Sequence, residues 1–368
     1  MVVLLLQLSS AQAETGPETR SELRGIWVTR WTYGSEQDVT RIIGEVADAG
    51  FNTVYFQVRG QHDAFYKSSI EPWAQELTGV LGQDPGWDPL AVAVAAARER
   101  GVKLHAYINA FTLWRGVKPP SSSSPSHAWD EHADWIVARE DGMPMELSEG
   151  YVYSSPGNPD ARKRLADVAR DIAKRYDVDG IHLDHIRYPD ADYGYDMSSL
   201  AAWESAGRPD FDDWRRQQVT EAVKAVSGAV DVPVSAAVWG VYVNRWGWPG
   251  VSEGLHRYLQ DAGAMTQQGS VDALIPMTYW RADPGNRLDF GLLVEEHLTR
   301  ANGRHVYAGI RADPTWGAEA VVACVEAARK AGAHGVVVFE YSEGRAYFEA
   351  LKATVFKEPA VPPAMDWR

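Results

Sequence analysis

The 368-residue chain has a single cysteine, so no disulfide can close within it and no cysteine cluster can hold zinc. That residue, Cys324, sits in the helical pattern Val321 to Ala328 and reads as a small buried thiol. After the first few residues, no apolar run is long enough to cross a bilayer. Cations are also scarce: 36 Lys and Arg face 50 Asp and Glu, and the formal net charge of −14 repels nucleic acid and anionic lipid. No glycine-rich phosphate turn follows the first apolar run, which argues against an open nucleotide-binding sheet. No repeat of short fixed period is present.

Aromatic residues are plentiful, with 15 Trp and 16 Tyr. Such rings either pack the core or stack on the C–H faces of sugars. Residues Met1 to Leu8 are apolar, and Ala11-Gln12-Ala13 offers a small-x-small cleavage pattern. Residues 1–13 therefore read as a signal peptide that lacks its basic start, which implies export to the envelope or beyond.

From Leu23 onward, short apolar runs alternate with amphipathic helical patterns. The runs are Leu23 to Thr29, Phe51 to Val58, Val102 to Asn109, Asp179 to Ile186, Val234 to Trp239, Ala273 to Tyr279, Val306 to Arg311 and Gly335 to Glu340. Asp88-Pro89 and Asn158-Pro159 are N-cap and first-turn pairs that open helices, and Gly50 and Gly101 close others. A further short helix is expected over Trp129 to Ala138. Eight strands with helices between them predict an α/β fold, a single-domain (β/α)8 TIM barrel over residues 22–356, with long loops after strands 3 and 4. Residues 357–368 are Pro-rich and expected to be loose.

Barrel active sites lie where strands run into helices. At these ends nearly every strand carries a side chain able to hydrogen-bond or stack. The richest segment is Asp179-Gly180-Ile181-His182-Leu183-Asp184-His185-Ile186-Arg187. Strand alternation places His182 and Asp184 on one face. A carboxylate among apolar neighbours is costly unless paired, so Asp184 is expected either to work or to sit in an ion pair with Arg187 or Arg59. Glu340 is the leading partner acid, the alternative being an ion pair with Arg311 or Arg345; Asp313 ranks third. A metal reading would need His182, His185 and Asp184 with help from His105 or Asn109; no metal or other cofactor is called for.

These residues resemble the glycosyl hydrolase-like 10 family. The resemblance rests on Leu23 to Thr29, Gln57-Val58-Arg59 with Asp63 to Ser68, Glu71-Pro72-Trp73, Pro85 to Leu90, His105 to Asn109, Asn158-Pro159 with Arg162, Asp179 to Pro189, and Pro276 to Trp280. It implies a barrel glycosidase acting on bacterial cell-wall glycan, in particular strands stripped of peptide, with Asp184 catalytic. Many members carry a second Asp where this chain has His185, a departure that counts against a mechanism based on adjacent carboxylates. The Asp-Gly-x-x-x-Asp and Met-Thr-Tyr strands are also distantly similar to chitinase-type barrels, with Tyr279 in the position of the tyrosine that holds an N-acetyl group.

The combined expectation is a glycosidase with a polysaccharide or oligosaccharide substrate, Asp184 and Glu340 catalytic. Gln57, Arg59, Tyr107, Asn109, His182, Arg187 and Tyr279 would hold the sugar; Trp27, Trp239 and Trp280 would stack. The alternatives are a non-catalytic carbohydrate-binding barrel and a metal-dependent hydrolase or deacetylase on the same polymer. Oligomeric state is left open.

Overall fold

The computed structural model describes residues 19–283 and 287–368; the expected signal segment lies outside them. Eight parallel strands close into a barrel. They are β1 (Leu23–Val28), β2 (Thr53–Arg59), β3 (Lys103–Asn109), β4 (Gly180–Asp184), β5 (Val234–Trp239), β6 (Ala273–Met277), β7 (His305–Arg311) and β8 (Gly335–Phe339). The barrel closes where β8 pairs with β1, with Val338 opposite Ile26.

Two apolar layers follow from the period-two alternation of the strands. Outward residues such as Val54, Ile108, Ile181, Leu183 and Val338 join the core under the helices. Inward residues, among them Trp27, Tyr55, Tyr107, Ile275 and Val337, fill the barrel. The helices begin and end as their caps dictate. Asp88 accepts from the Ala91 amide at 3.1 Å, and Gly101 closes that helix at φ 67°. Asn158 accepts from the amides of Asp160 and Ala161. Gly101 is needed there because a side chain at positive φ is disfavoured.

The long connection after β3 differs from expectation. The helix expected over 129–138 is instead a turn at Ala128–Glu131, a tighter turn at Ala133–Trp135, and extended chain. Helical backbone stops at His132 (φ −138°), and the Val137 amide donates to Tyr153 O at 3.0 Å. Burial of Val137 in an extended pairing outweighs the local helical pattern. The same connection folds back as an antiparallel pair, Thr112–Arg115 with Tyr151–Tyr153, standing above the barrel mouth side of β3. The loop after β4 holds an unforeseen helix, Met197–Ser205, capped by Asp196.

The C-terminal tail is not loose. Ala360–Val361 pairs in parallel with Arg20–Ser21. Arg24, buried, donates to the carbonyls of Phe356 and Glu358 at 3.1 and 2.8 Å. Trp367 donates to Asp272 at 2.9 Å, and Arg368 pairs with the same carboxylate. Prolines deny the tail a helix, but its backbone and its one tryptophan find partners on the barrel floor.

The inside of this fold is sensitive to acid. Burial pushes His105, His185, His297 and His305 down to about 4 and His182 to about 3, against an ordinary 6.5. In the unfolded chain these rings take protons near 6.5, so their stabilisation is full above that pH and is lost as pH falls towards 4. Glu76, pushed up to about 7 by burial and the neighbouring Asp63, works the other way, as do Asp171 and Glu296, raised by burial, but these three acids stand against eight lowered histidines. The melting temperature should therefore fall by several degrees between pH 7.5 and pH 5, measured by calorimetry or circular dichroism; a flat profile would contradict the buried neutral histidines.

Candidate active site

Asp184 ends β4 with its side chain turned inward, 13% exposed, as the alternation requires. The Tyr107 phenol donates to Oδ2 at 2.7 Å and the His185 amide to Oδ1 at 2.6 Å. That amide reaches the carboxylate because His185 takes the left-handed conformation, φ 50°, sparsely populated for a residue with a Cβ. Arg187 stands 3.6 Å from Oδ1, an ion pair too long for a hydrogen bond. Burial raises the Asp184 carboxyl, but His185 when protonated in acid, the Arg187 charge, the phenol and the amide outweigh it and hold it at about 2. Burial keeps His185 itself neutral at physiological pH, so Arg187 and the two hydrogen bonds are what keep Asp184 ionised there. A carboxylate in this state can act as nucleophile or base; it has no proton to give.

Asp184 is not sealed away. It lines a cleft of about 350 Å³ at the barrel mouth together with Gln57, Tyr107, Asn109 and Glu340, all expected there, and with Thr29, Arg30, Trp31, Tyr151, His185 and Ser342. In an eight-stranded barrel β4 and β8 stand opposite each other, so Asp184 and Glu340 face across the cleft. Neither feared ion pair of Glu340 forms: Arg311 pairs with Asp313 at 3.3 Å and Arg345 with Glu45 at 2.7 Å. Glu340 accepts instead from Thr29 Oγ1 at 3.4 Å, Ser342 Oγ at 3.2 Å and the Glu343 amide at 3.3 Å, capping the turn Tyr341–Gly344. Asp313 turns back on Thr315 and does not join the cleft.

Other expected sugar ligands are occupied elsewhere. Arg59 is fully buried and holds Glu71 with two hydrogen bonds, Nε to Oε2 at 2.8 Å and Nη2 to Oε1 at 2.7 Å. It is a scaffold residue, because no atom of it is left for a ligand. Trp27, 2% exposed, lies inside the barrel and donates to His182 Nε2 at 2.9 Å. An indole N–H can only donate, so Nε2 is the acceptor and the His182 proton sits on Nδ1, facing Ser235 Oγ at 3.0 Å. Both ring nitrogens are thereby used, and His182 serves neither substrate nor metal. Arg187 lies behind Asp184, 8% exposed, against the Trp239 ring. Trp239 is half-buried, donates to Ser252 O and packs on Tyr258 at 4.2 Å. Trp280 packs over Gly240, where an added Cβ would come within 2.9 Å of its ring. Tyr279 stacks on Phe339, and burial and then the Asp184 charge push its phenol up. Among the described residues no three His, Cys, Asp or Glu stand together as metal ligands.

Two rings that reach the cleft are not among the expected site residues. Trp31 follows β1 directly and is 55% exposed. Tyr151 arrives from the antiparallel pair of the β3 loop, accepts from Arg30 at 2.9 Å, and packs near His185. Trp31 was visible as a strand-end residue. Tyr151 lies in a three-residue strand whose alternation is too brief to read.

A family model described as glycosyl hydrolase-like 10 matches residues 22–313. The chain belongs to this family. Among its relatives are glycosyl hydrolase YngK of Bacillus subtilis (strain 168), 27% identical over 395 residues, covering 94% of this chain and 74% of that protein. Glycosyl hydrolase DigH of Escherichia coli (strain K12) is 29% identical over 253 residues; the match covers 63% of this glycosyl hydrolase-like 10 chain and about half, 55%, of DigH. Among solved structures, the PgaB (BpsB) glycoside hydrolase domain from Bordetella bronchiseptica superposes with a TM-score of 0.64 at 16% identity, covering 90% of this chain and 98% of that one. At that identity the likeness is one of fold alone.

The Arg59–Glu71 pair supplies a test of its structural assignment. Substituting Glu71→Ala leaves a buried guanidinium unpaired, which costs about 3–5 kcal/mol. Urea unfolding should show that loss. A variant of unchanged stability with weakened substrate binding would return Arg59 to the list of sugar ligands.

Proposed function

We propose that the protein hydrolyses glycosidic bonds in a bacterial amino-sugar glycan, denuded peptidoglycan strands being the foremost case. The observation that carries this reading is the ionised Asp184 carboxylate in an open, aromatic-rimmed cleft, facing a Glu340 that has no cationic partner among the described residues. Glycoside hydrolysis needs two carboxyl groups in different protonation states across the scissile bond. Asp184 is the anion, acting as nucleophile or base. Glu340, across the cleft from it, is the group we assign to pass a proton to the leaving oxygen. Tyr107 orients Asp184, and Gln57 and Asn109 form the polar floor under the sugar. Members of the family with names as glycosyl hydrolases support the same activity. The apolar start of the chain supports a place of action in the cell envelope or outside it.

A binding-only barrel is the second reading. What favours it is the capping role of Glu340, which holds that acid in the turn after β8. The two separate cleanly in one assay: amidase-stripped peptidoglycan glycan is incubated with the protein and new reducing ends are counted. The wild type should generate them, and activity should survive EDTA. Asp184→Asn, checked for native folding, should lose about 10²–10⁴-fold in kcat. Full activity in that variant would remove Asp184 from the mechanism; wild-type protein that binds the glycan without producing ends would favour the binding reading.

A further inference from the structure

Near the mouth of the cleft, a tryptophan, a tyrosine and an arginine form a group that the hydrolytic reading leaves unused. Arg115 is exposed and ends the strand Thr112–Arg115, directly opposite Tyr151 in the register of the pair. Its guanidinium carbon stands 5.6 Å from the Tyr151 ring centre and 5.7 Å from that of Trp31. Its backbone is fixed from below, where its amide donates to Gln61 Oε1 at 3.0 Å. Both rings line the cleft that holds Asp184.

The two arginines near Trp31 differ in availability. Arg30 is 2% exposed, lies against the indole at 4.1 Å, and is occupied by Glu76 at 3.3 Å and the Tyr151 phenol at 2.9 Å. It supports the ring from one side. Arg115 makes no ion pair among the described residues, although acids outnumber bases 50 to 36 along the chain. This arginine is held between two rings beside the cleft.

We infer that Trp31, Tyr151 and Arg115 form a subsite for a sugar that carries a carboxylate, with Arg115 the residue that selects it. The open part of the indole takes the C–H face of the ring, as flat apolar surfaces do. The guanidinium fork then meets the substituent carboxylate in the planar, two-point geometry it suits. A monoanion fits better than a phosphate, because Asp184 and Glu340 repel further negative charge. A neutral sugar would keep the stacking and lose the pairing. This inference rests on the glycosidase reading and adds which sugars the cleft prefers.

The test compares amidase-stripped glycan strands, whose muramic residues bear free lactyl carboxylates, with the same strands after methyl esterification. For the wild type, KM on the free acid should be about tenfold lower than on the ester, the value of a charge-assisted hydrogen bond. The preference should shrink as salt is raised, since the pair is near solvent. Arg115→Gln should raise KM on the free acid towards the wild-type value for the ester, with kcat little changed, and Arg115→Lys should restore part of the loss. Equal KM for acid and ester in the wild type would overturn the inference while leaving the hydrolase standing. If neither glycan is cleaved, the hydrolytic reading fails, and calorimetric binding of acid and ester oligosaccharides to the same protein still decides the subsite. Tighter binding of the acid supports it; equal binding overturns it.

Discussion

A buried guanidinium organises the mouth of this barrel. Arg59 sits at the end of β2 with no exposed surface, and its hydrogen bonds run in two directions. On one side it grips Glu71, in the loop that returns from β2. On the other it donates to the carbonyls of Asn109 and Ala110, just where β3 ends. The Ala110 amide in turn donates to the Asp184 carbonyl at 2.7 Å. Taking a charged pair out of water is costly, and the geometry here repays it with bonds on nearly every available proton. The ends of three consecutive strands are thereby locked to one another. The cleft floor inherits that rigidity: Gln57 bonds Asn109, and Asn109 bonds the Gly60 carbonyl. A catalytic carboxylate needs supporting groups that do not move, and this chain of bonds provides them.

Electrostatics then fixes the state of Asp184. Asp184 is surrounded by donors, a phenol, an amide and a nearby guanidinium, which hold its proton off well below neutrality. Glu340 touches two hydroxyl groups and an amide but no cation. His185 contributes differently. Its backbone supplies a donor to Asp184, and its ring contacts the Tyr153 phenol.

Much of this was legible in the residues. Unbroken Val- and Ile-rich runs, capped helices and polar strand ends are local signals, and they locate the barrel, its mouth, Asp184 and Glu340. What the sequence could not show was which partner wins when several are within reach. Arg59 might bind a sugar or an acid, and only the return of the loop to Glu71 decides for the acid. Trp27 reads as a stacking ring until β4 sets His182 beneath it, and the indole turns inward. Tyr151 is invisible because the element that carries it spans three residues and gains its place from pairing across a connection of more than thirty. The tail fails for the same reason: its proline content forbids a helix but says nothing of the sheet edge waiting at Arg20–Ser21.

That small two-stranded sheet has a geometric consequence. Because Arg20 pairs with Ala360, the polypeptide enters and leaves the domain side by side, on the floor of the barrel. The cleft opens at the other end of the same axis. Immobilising the protein close to Arg20 or Ala360 would therefore present the mouth outward, so a bead or a surface carrying it could meet an insoluble polymer with the cleft unobstructed.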